Sequence, residues 1–91
     1  MSQFETETVR REAQQLIAGV LDRKKAKVKP EEIVEGISLS LQLGIDSLDI
    51  LQIMATVEKK FKIKIPEQDL MRMDDLGEII QTVERHWPKG E

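Results

Sequence analysis

Cysteine is absent from this 91-residue sequence, which excludes a disulfide framework and a metal site built on thiolates. The only histidine is His86, so a site that needs several imidazole groups is excluded as well, and we expect no metal centre. No apolar run approaches the ~20 residues that a transmembrane helix needs. Residues 1 to 5 lack the basic and apolar regions of a signal peptide, which favours a cytoplasmic location.

Neither sign of charge dominates the chain. Its 14 basic and 17 acidic residues give a formal net charge of -3, which argues against a general nucleic-acid binder. Residues 23 to 29 are mostly basic and include no acid, and four of residues 59 to 64 are lysines. Acidic residues outnumber basic ones over residues 67 to 78. Most of these charges are typical of solvated helix faces and loops.

Three segments show the apolar spacing of amphipathic helices. The three stripes are Val9, Ala13, Leu16, Ile17 and Val20; Ile50, Ile53, Met54, Val57 and Phe61; and Leu76, Ile79, Ile80, Val83 and Trp87. Ser2 with Glu5 fits a capping box for the first helix, and Thr6 or Thr8 is an alternative start. Asp74 or Asp75, with Glu78 after it, caps the third, which Pro88 and Gly90 end.

The connection over residues 24 to 46 is long for a compact domain, so we expect apolar residues to anchor it. The expected anchors are Ile33, Ile37, Leu39, Leu41 and Leu43. Pro30 favours a single helical turn, and Gly44 permits a sharp turn before the second helix. Residues 66 to 71, which begin with Pro66, are typical of one short helix.

These patterns predict an all-α fold. Three main helices and one short helix form a small four-helix bundle with a long loop between the first two helices. One domain is expected over residues 1 to 91, with its core at about 6 to 87.

The stretch from Leu43 to Asp49 carries the chemistry. A turn glycine leads to Asp46 and Ser47 at the start of an amphipathic helix, where either residue could serve as a cap. Ser47 as a catalytic nucleophile is disfavoured, because His86 is the only imidazole and no triad is recognisable. Attachment of a phosphate suits the position better, since a helix N-terminus offers unpaired N–H groups and the positive end of the macrodipole.

Asp46-Ser47-Leu48-Asp49 before an amphipathic helix, followed by Phe61 and Ile65-Pro66-Glu67, resembles the acyl carrier proteins of fatty acid and polyketide synthesis. The resemblance extends from about Val9 to Val83. It implies a carrier without catalytic activity, in which a phosphopantetheinyl transferase joins 4′-phosphopantetheine from coenzyme A to Ser47. The thiol of that arm holds the acyl group as a thioester, so the cofactor provides the sulfur that the chain lacks.

The resemblance also implies roles for neighbouring residues. Asp46 helps the transferase to place metal-bound coenzyme A, and synthase, ligase or transferase enzymes dock on the outer face of the second helix. The implied partner-binding residues are Leu48, Asp49, Gln52, Ala55 and Lys59. The carrier is expected to be a monomer without membrane insertion, and its interior can shelter an acyl chain.

The chain departs from the acidic character of the family. Gln52 stands where an acid is usual, and lysines follow the second helix, which favours a specialised carrier with its own partners. A peptidyl or aminoacyl carrier and an unmodified helical interaction or structural subunit are the alternatives, whereas a helix-turn-helix DNA binder is disfavoured. Trp87 is expected to pack on the core or form a partial lid, and His86 to face solvent.

Overall fold

Three amphipathic helices, one short helix and one 3-10 turn make up the regular structure of the computed structural model, which describes residues 4–71 and 73–88. Their bounds are α1 Thr6–Arg23, the 3-10 turn Pro30–Glu32, α2 Ser47–Phe61, α3 Glu67–Leu70 and α4 Leu76–Arg85. The predicted all-α fold with three main helices and one short helix is confirmed. Among the described helices, none is both long and apolar enough to cross a bilayer.

The first helix, α1, runs antiparallel to α2. Lys24 at the end of α1 contacts Asp49 in the first turn of α2, and Lys60 in the last turn of α2 lies 3.5 Å from Glu12. The predicted stripe of α1 is buried apart from the half-buried Leu16. The helix begins at Thr6, and the Ser2 of the predicted capping box lies outside the described residues.

The fourth helix packs on α1 and begins at the predicted cap. Asp75 accepts the N–H of Gly77 at 2.7 Å, while Glu78 accepts the N–H of Asp74 at 2.9 Å. The helix ends at Arg85, so Trp87 lies beyond it rather than continuing its stripe. The predicted stop at Pro88 fits this end, whereas Gly90 falls outside the described part of the chain.

Trp87 closes the end of the bundle opposite Ser47. Its ring meets Phe4 edge-on with centroids 5.3 Å apart, and its centroid is 5.4 Å from that of Phe61. The predicted packing of Trp87 is therefore confirmed. The prediction that His86 faces solvent is wrong: it is half-buried, and its Nε2 lies 2.9 Å from an Asp69 carboxylate oxygen because the chain after α4 returns to α3.

The long connection is anchored by some of the expected residues. Ile33 and Leu39 are fully buried, and Ile37 and Leu43 are half-buried. The prediction for Leu41 is wrong, since its side chain is 88% exposed.

The reason lies in the backbone of residues 38 to 44. Gln42 N–H bonds to the Ser38 carbonyl and Gly44 N–H to the Ser40 carbonyl, as in a helical turn. Side chains two positions apart on a helical turn point to opposite sides. Because the Leu39 side chain points into the core, the Leu41 side chain points into solvent. Gly44 has φ +75° and makes the predicted sharp turn into α2.

Candidate functional site

Ser47 is the first residue of α2, and its side chain is exposed. The cap of this helix is Asp46, whose carboxylate accepts the N–H of Asp49 at 2.9 Å. The carboxylate of Asp49 accepts the N–H of Asp46 in return, at 3.1 Å, which completes a capping box. The Ser47 hydroxyl makes no hydrogen bond within residues 4–71 and 73–88. Of the two caps that the sequence left open, the structure uses Asp46 and leaves Ser47 available.

The first turn of α2 fits a phosphate on Ser47. The N–H of Asp49 is held by the Asp46 side chain, and that of Ile50 by the Asp46 carbonyl at 3.0 Å. The remaining first-turn donors are the N–H groups of Ser47 and Leu48, which have no intrahelical acceptor. They lie at the positive end of a 15-residue helix, where an anion is favoured.

Lys24 adds a cation that the sequence analysis did not single out. Its ammonium lies 2.5 Å from an Asp49 carboxylate oxygen, 3.7 Å from one of Asp46 and 3.3 Å from the Gly44 carbonyl oxygen. The hydrogen bond to Asp49 raises the pKa of Lys24. Burial acts to raise the pKa of Asp49, but the bonds from Lys24 and from the Asp46 N–H outweigh it, so the pKa is lowered. The Asp49 carboxylate therefore stays charged at neutral pH.

A cleft of about 280 Å³ opens beside Ser47. It lies between the start of α2, the short helix α3 and the segment before α4. Its lining is mostly apolar and consists of Ser40, Ile45, Asp46, Ser47, Ile50, Leu51, Leu70, Met71, Met73 and Asp74. A group attached to Ser47 thus starts at the rim of an apolar recess.

The outer face of α2 collects most of the predicted partner residues. Leu48 is 75% exposed, and Gln52, Ala55 and Lys59 are also exposed, at helical spacing along one side. Asp49 is different, because its side chain is only 14% exposed and is held by Lys24 and the Asp46 N–H. The structure therefore brings Asp46, Ser47 and Asp49 together as one site and separates Asp49 from the outer face.

The structure pairs His86 with Asp69 and not with Ser47. His86 is occupied by Asp69 at 2.9 Å, which is a contact between α4's end and α3. Within the described residues, no group of three or more histidine, aspartate and glutamate side chains is placed to hold a metal ion. What the arrangement provides is an exposed hydroxyl, an anion-compatible helix end and an adjoining apolar cleft.

Comparison with known proteins points in the same direction. Residues 12–83 match the family model described as the phosphopantetheine attachment site. The acyl carrier protein of Helicobacter pylori is 33% identical over 72 residues, which cover 78% of this chain and 85% of that protein. That of Wolinella succinogenes is 31% identical over 61 residues, or 67% of this chain and 80% of that protein. That of Porphyromonas gingivalis is 32% identical over 62 residues, which cover 68% of this chain and 80% of that protein.

Proposed function

Since this chain belongs to the acyl carrier protein family, whose cofactor is 4′-phosphopantetheine, we propose that Ser47 bears the cofactor and that the chain carries acyl groups as thioesters. One observation carries the proposal: at the start of α2 the Ser47 hydroxyl is exposed and makes no hydrogen bond to the described part of the chain, because Asp46 and Asp49 provide the capping. The thiol that binds the acyl group comes with the cofactor, and the chain has no cysteine to compete with it.

Attachment requires a hydroxyl that another enzyme can reach. Ser47 Oγ forms the new bond to a phosphorus of coenzyme A, its proton passes to a base of the transferase, and the pyrophosphate bond breaks to release adenosine bisphosphate. The Ser47 and Leu48 N–H groups then face the phosphodiester. Asp46, whose side chain is 62% exposed, is proposed to help the transferase hold metal-bound coenzyme A.

Partner enzymes are proposed to dock on the outer face of α2, which consists of Leu48, Gln52, Ala55 and Lys59. Leu48 supplies an exposed apolar contact next to the attachment point. At the other end of the helix, Lys59, Lys62 and Lys64 are exposed, whereas Lys60 is paired with Glu12. Complementary charge sets encounter rates and partner choice, so the partners are proposed to carry acids where they meet this end.

This charge pattern supports a specialised carrier rather than a general one of fatty acid synthesis. The test is the rate of malonyl transfer to the holo protein by a standard fatty-acid malonyl transferase. We expect slow transfer, improved when Lys59 and Lys62 are both changed to Glu. Transfer at the rate of an acidic carrier would contradict the specialised role while leaving the carrier function intact.

The cleft beside Ser47 is proposed to shelter the first part of the acyl chain. Its apolar lining includes Leu51, Leu70 and Met71, and burying alkyl carbons there is favourable by about 0.8 kcal/mol per methylene. Met71 is 73% exposed, so its flexible side chain has room to move over an occupant. We also propose that residues 1 to 91 form one domain with its core at about 6 to 87, while monomeric state and cytoplasmic location remain predictions.

The carrier function is tested by intact mass after incubation with coenzyme A and a promiscuous phosphopantetheinyl transferase. We expect the gain of one phosphopantetheine by the native chain and no gain by Ser47→Ala. Helicity of the variant is checked by circular dichroism, so that a folding defect is not mistaken for a lost site. Absence of any gain by the native chain would instead favour an unmodified interaction module.

A further inference from the structure

Lys24 lies where it can control the geometry around Ser47. It is the residue that closes α1, and its ammonium reaches across to the carboxylates of Asp49 and Asp46 and the carbonyl of Gly44. These three contacts flank Ser47 on both sides in sequence. Because the contacts join residues that are 20 to 25 positions apart, they connect the end of the first helix directly to the start of the second.

The backbone that carries Lys24 is itself fixed. The Lys24 N–H bonds to the carbonyls of Val20 and Leu21, and Ala26 N–H returns to the Leu21 carbonyl at 2.8 Å. Leu21 is buried in the core, so this turn cannot shift without moving α1. A lysine at this position also suits the negative end of the helix macrodipole.

The charge of Lys24 is needed once Ser47 is modified. A phosphodiester next to Asp46 and Asp49 places three negative charges around one helix terminus. The cation offsets one of them and holds the Asp49 carboxylate toward the capping position, where it accepts the Asp46 N–H. Without the cation, the carboxylates repel each other and the incoming phosphate, and the first turn of α2 loses its fixed orientation.

From this arrangement, and resting on the proposed function, we infer that Lys24 is a positioning residue for the modification of Ser47: through Asp49, Asp46 and Gly44 it holds the first turn of α2 in the orientation that presents the hydroxyl to the transferase. Among the described residues, the ammonium of Lys24 pairs with Asp46, Asp49 and the Gly44 carbonyl, and it makes no ion pair or hydrogen bond with the outer face of α2 on which the transferase is proposed to dock. Its loss therefore acts on the turnover step rather than on docking.

The experiment measures kcat and KM for phosphopantetheine transfer to the full chain and to Lys24→Ala, Lys24→Arg and Lys27→Ala. We expect Lys24→Ala to lower kcat about tenfold while KM stays within about twofold, because misplaced reacting groups slow turnover. Lys24→Arg restores most of the rate because it keeps the cation. Lys27 is an exposed lysine of the same basic run without a described ion pair, and Lys27→Ala should behave like the native chain.

A second readout follows the contact itself. Carbon-13 titration of the Asp49 carboxyl should show its pKa rise toward the ordinary value in Lys24→Ala and stay low in Lys24→Arg, independently of any transferase. An unchanged kcat, an increase confined to KM, or an equal loss in Lys27→Ala would each overturn the positioning role. Failure of the native chain to accept any phosphopantetheine would instead overturn the proposed function on which the role rests.

Discussion

Asp46 and Asp49 accept each other's backbone N–H groups across the first turn of α2, at 2.9 Å and 3.1 Å. Ser47 lies between them in sequence and takes no part in this exchange. The two carboxylates thereby take the capping role, and the Ser47 hydroxyl stays exposed. A serine that served as the cap would have its oxygen engaged with the backbone, so the capping pair is what makes the hydroxyl available for modification.

The capping pair leads to a prediction for stability. Asp46→Ala should lower the free energy of unfolding by about 1 kcal/mol, because the Asp49 N–H loses its acceptor. Asp46→Asn should lower it less, since the amide oxygen can still accept that N–H. Urea unfolding followed by circular dichroism measures both, with the exposed Asp22→Ala as a control. Equal stability of all three variants would show that the cap contributes nothing.

Leu39 and Leu41 provide a matched pair within the long connection. Leu39 is fully buried, so Leu39→Ala should lower the free energy of unfolding by about 3 kcal/mol through lost burial and the cavity left behind. Leu41 is 88% exposed, and Leu41→Ala should change that free energy by no more than about 0.5 kcal/mol. Chemical denaturation measures the unfolding free energy of both variants. Similar losses of unfolding free energy in the two variants would contradict the turn of residues 38 to 44 that buries Leu39 and exposes Leu41.

Asp74 makes stability depend on pH. Its carboxylate accepts bonds from the Ser38 hydroxyl and from the Ser40 N–H at 2.8 Å, and these bonds lower its pKa. A depressed pKa means that the unfolded chain binds the proton more readily, so this stabilisation is present above the unfolded pKa near 4. It is lost as the pH falls through the lower pKa of the folded state.

Asp74→Asn should therefore reduce stability at pH 7 and flatten the loss of stability below about pH 4. Urea midpoints at a series of pH values test this. Some loss in acid should remain, because the hydrogen bond from Arg10 also lowers the pKa of Glu35. If the urea midpoint of Asp74→Asn fell with decreasing pH as steeply as that of the native chain, the result would argue against the bonds from Ser38 and Ser40.

The contact between His86 and Asp69 is expected to hold α3 in place. This helix has four residues and contains none that is fully buried, so it is marginal without tertiary contacts. His86→Ala should speed hydrogen exchange of the Leu70 and Met71 N–H groups, which bond to Pro66 and Glu67 carbonyls. Gln81→Ala, an exposed change on α4, is the control. Unchanged exchange in His86→Ala would show that α3 is held by other contacts.

Local sequence patterns predict the helices well, because each helix buries one face and its apolar residues therefore recur at helical spacing along the sequence. The buried stripes of α2 and α4 and the cap at Asp75 follow from residues that are near one another in the chain. The position of Ser47 at a helix start follows in the same way from the glycine turn and the acids around it. The family resemblance adds the cofactor, which periodicity cannot reveal.

The remaining features depend on contacts between distant segments. Lys24 is one lysine in a basic run, and only the antiparallel packing of α1 on α2 selects it as the partner of Asp49. The exposure of Leu41 follows from the turn of residues 38 to 44, and that turn is held in part by Asp74, which accepts hydrogen bonds from residues 38 and 40, more than 30 positions earlier. His86 likewise meets Asp69 only because the end of α4 lies beside α3. No local pattern encodes these pairings.

The central claim concerns a single oxygen, and fragmentation mass spectrometry of the transferase-treated chain locates it. Residues 30 to 58 contain no Lys or Arg, so a single tryptic peptide contains Ser38, Ser40 and Ser47, and the three hydroxyls are compared directly. The account predicts that the phosphopantetheine is found on Ser47 alone, and that Ser40→Ala, which alters another residue of the cleft, is still modified. The cofactor on Ser38 or Ser40, or a Ser47→Ala variant that is folded and still modified, would contradict it.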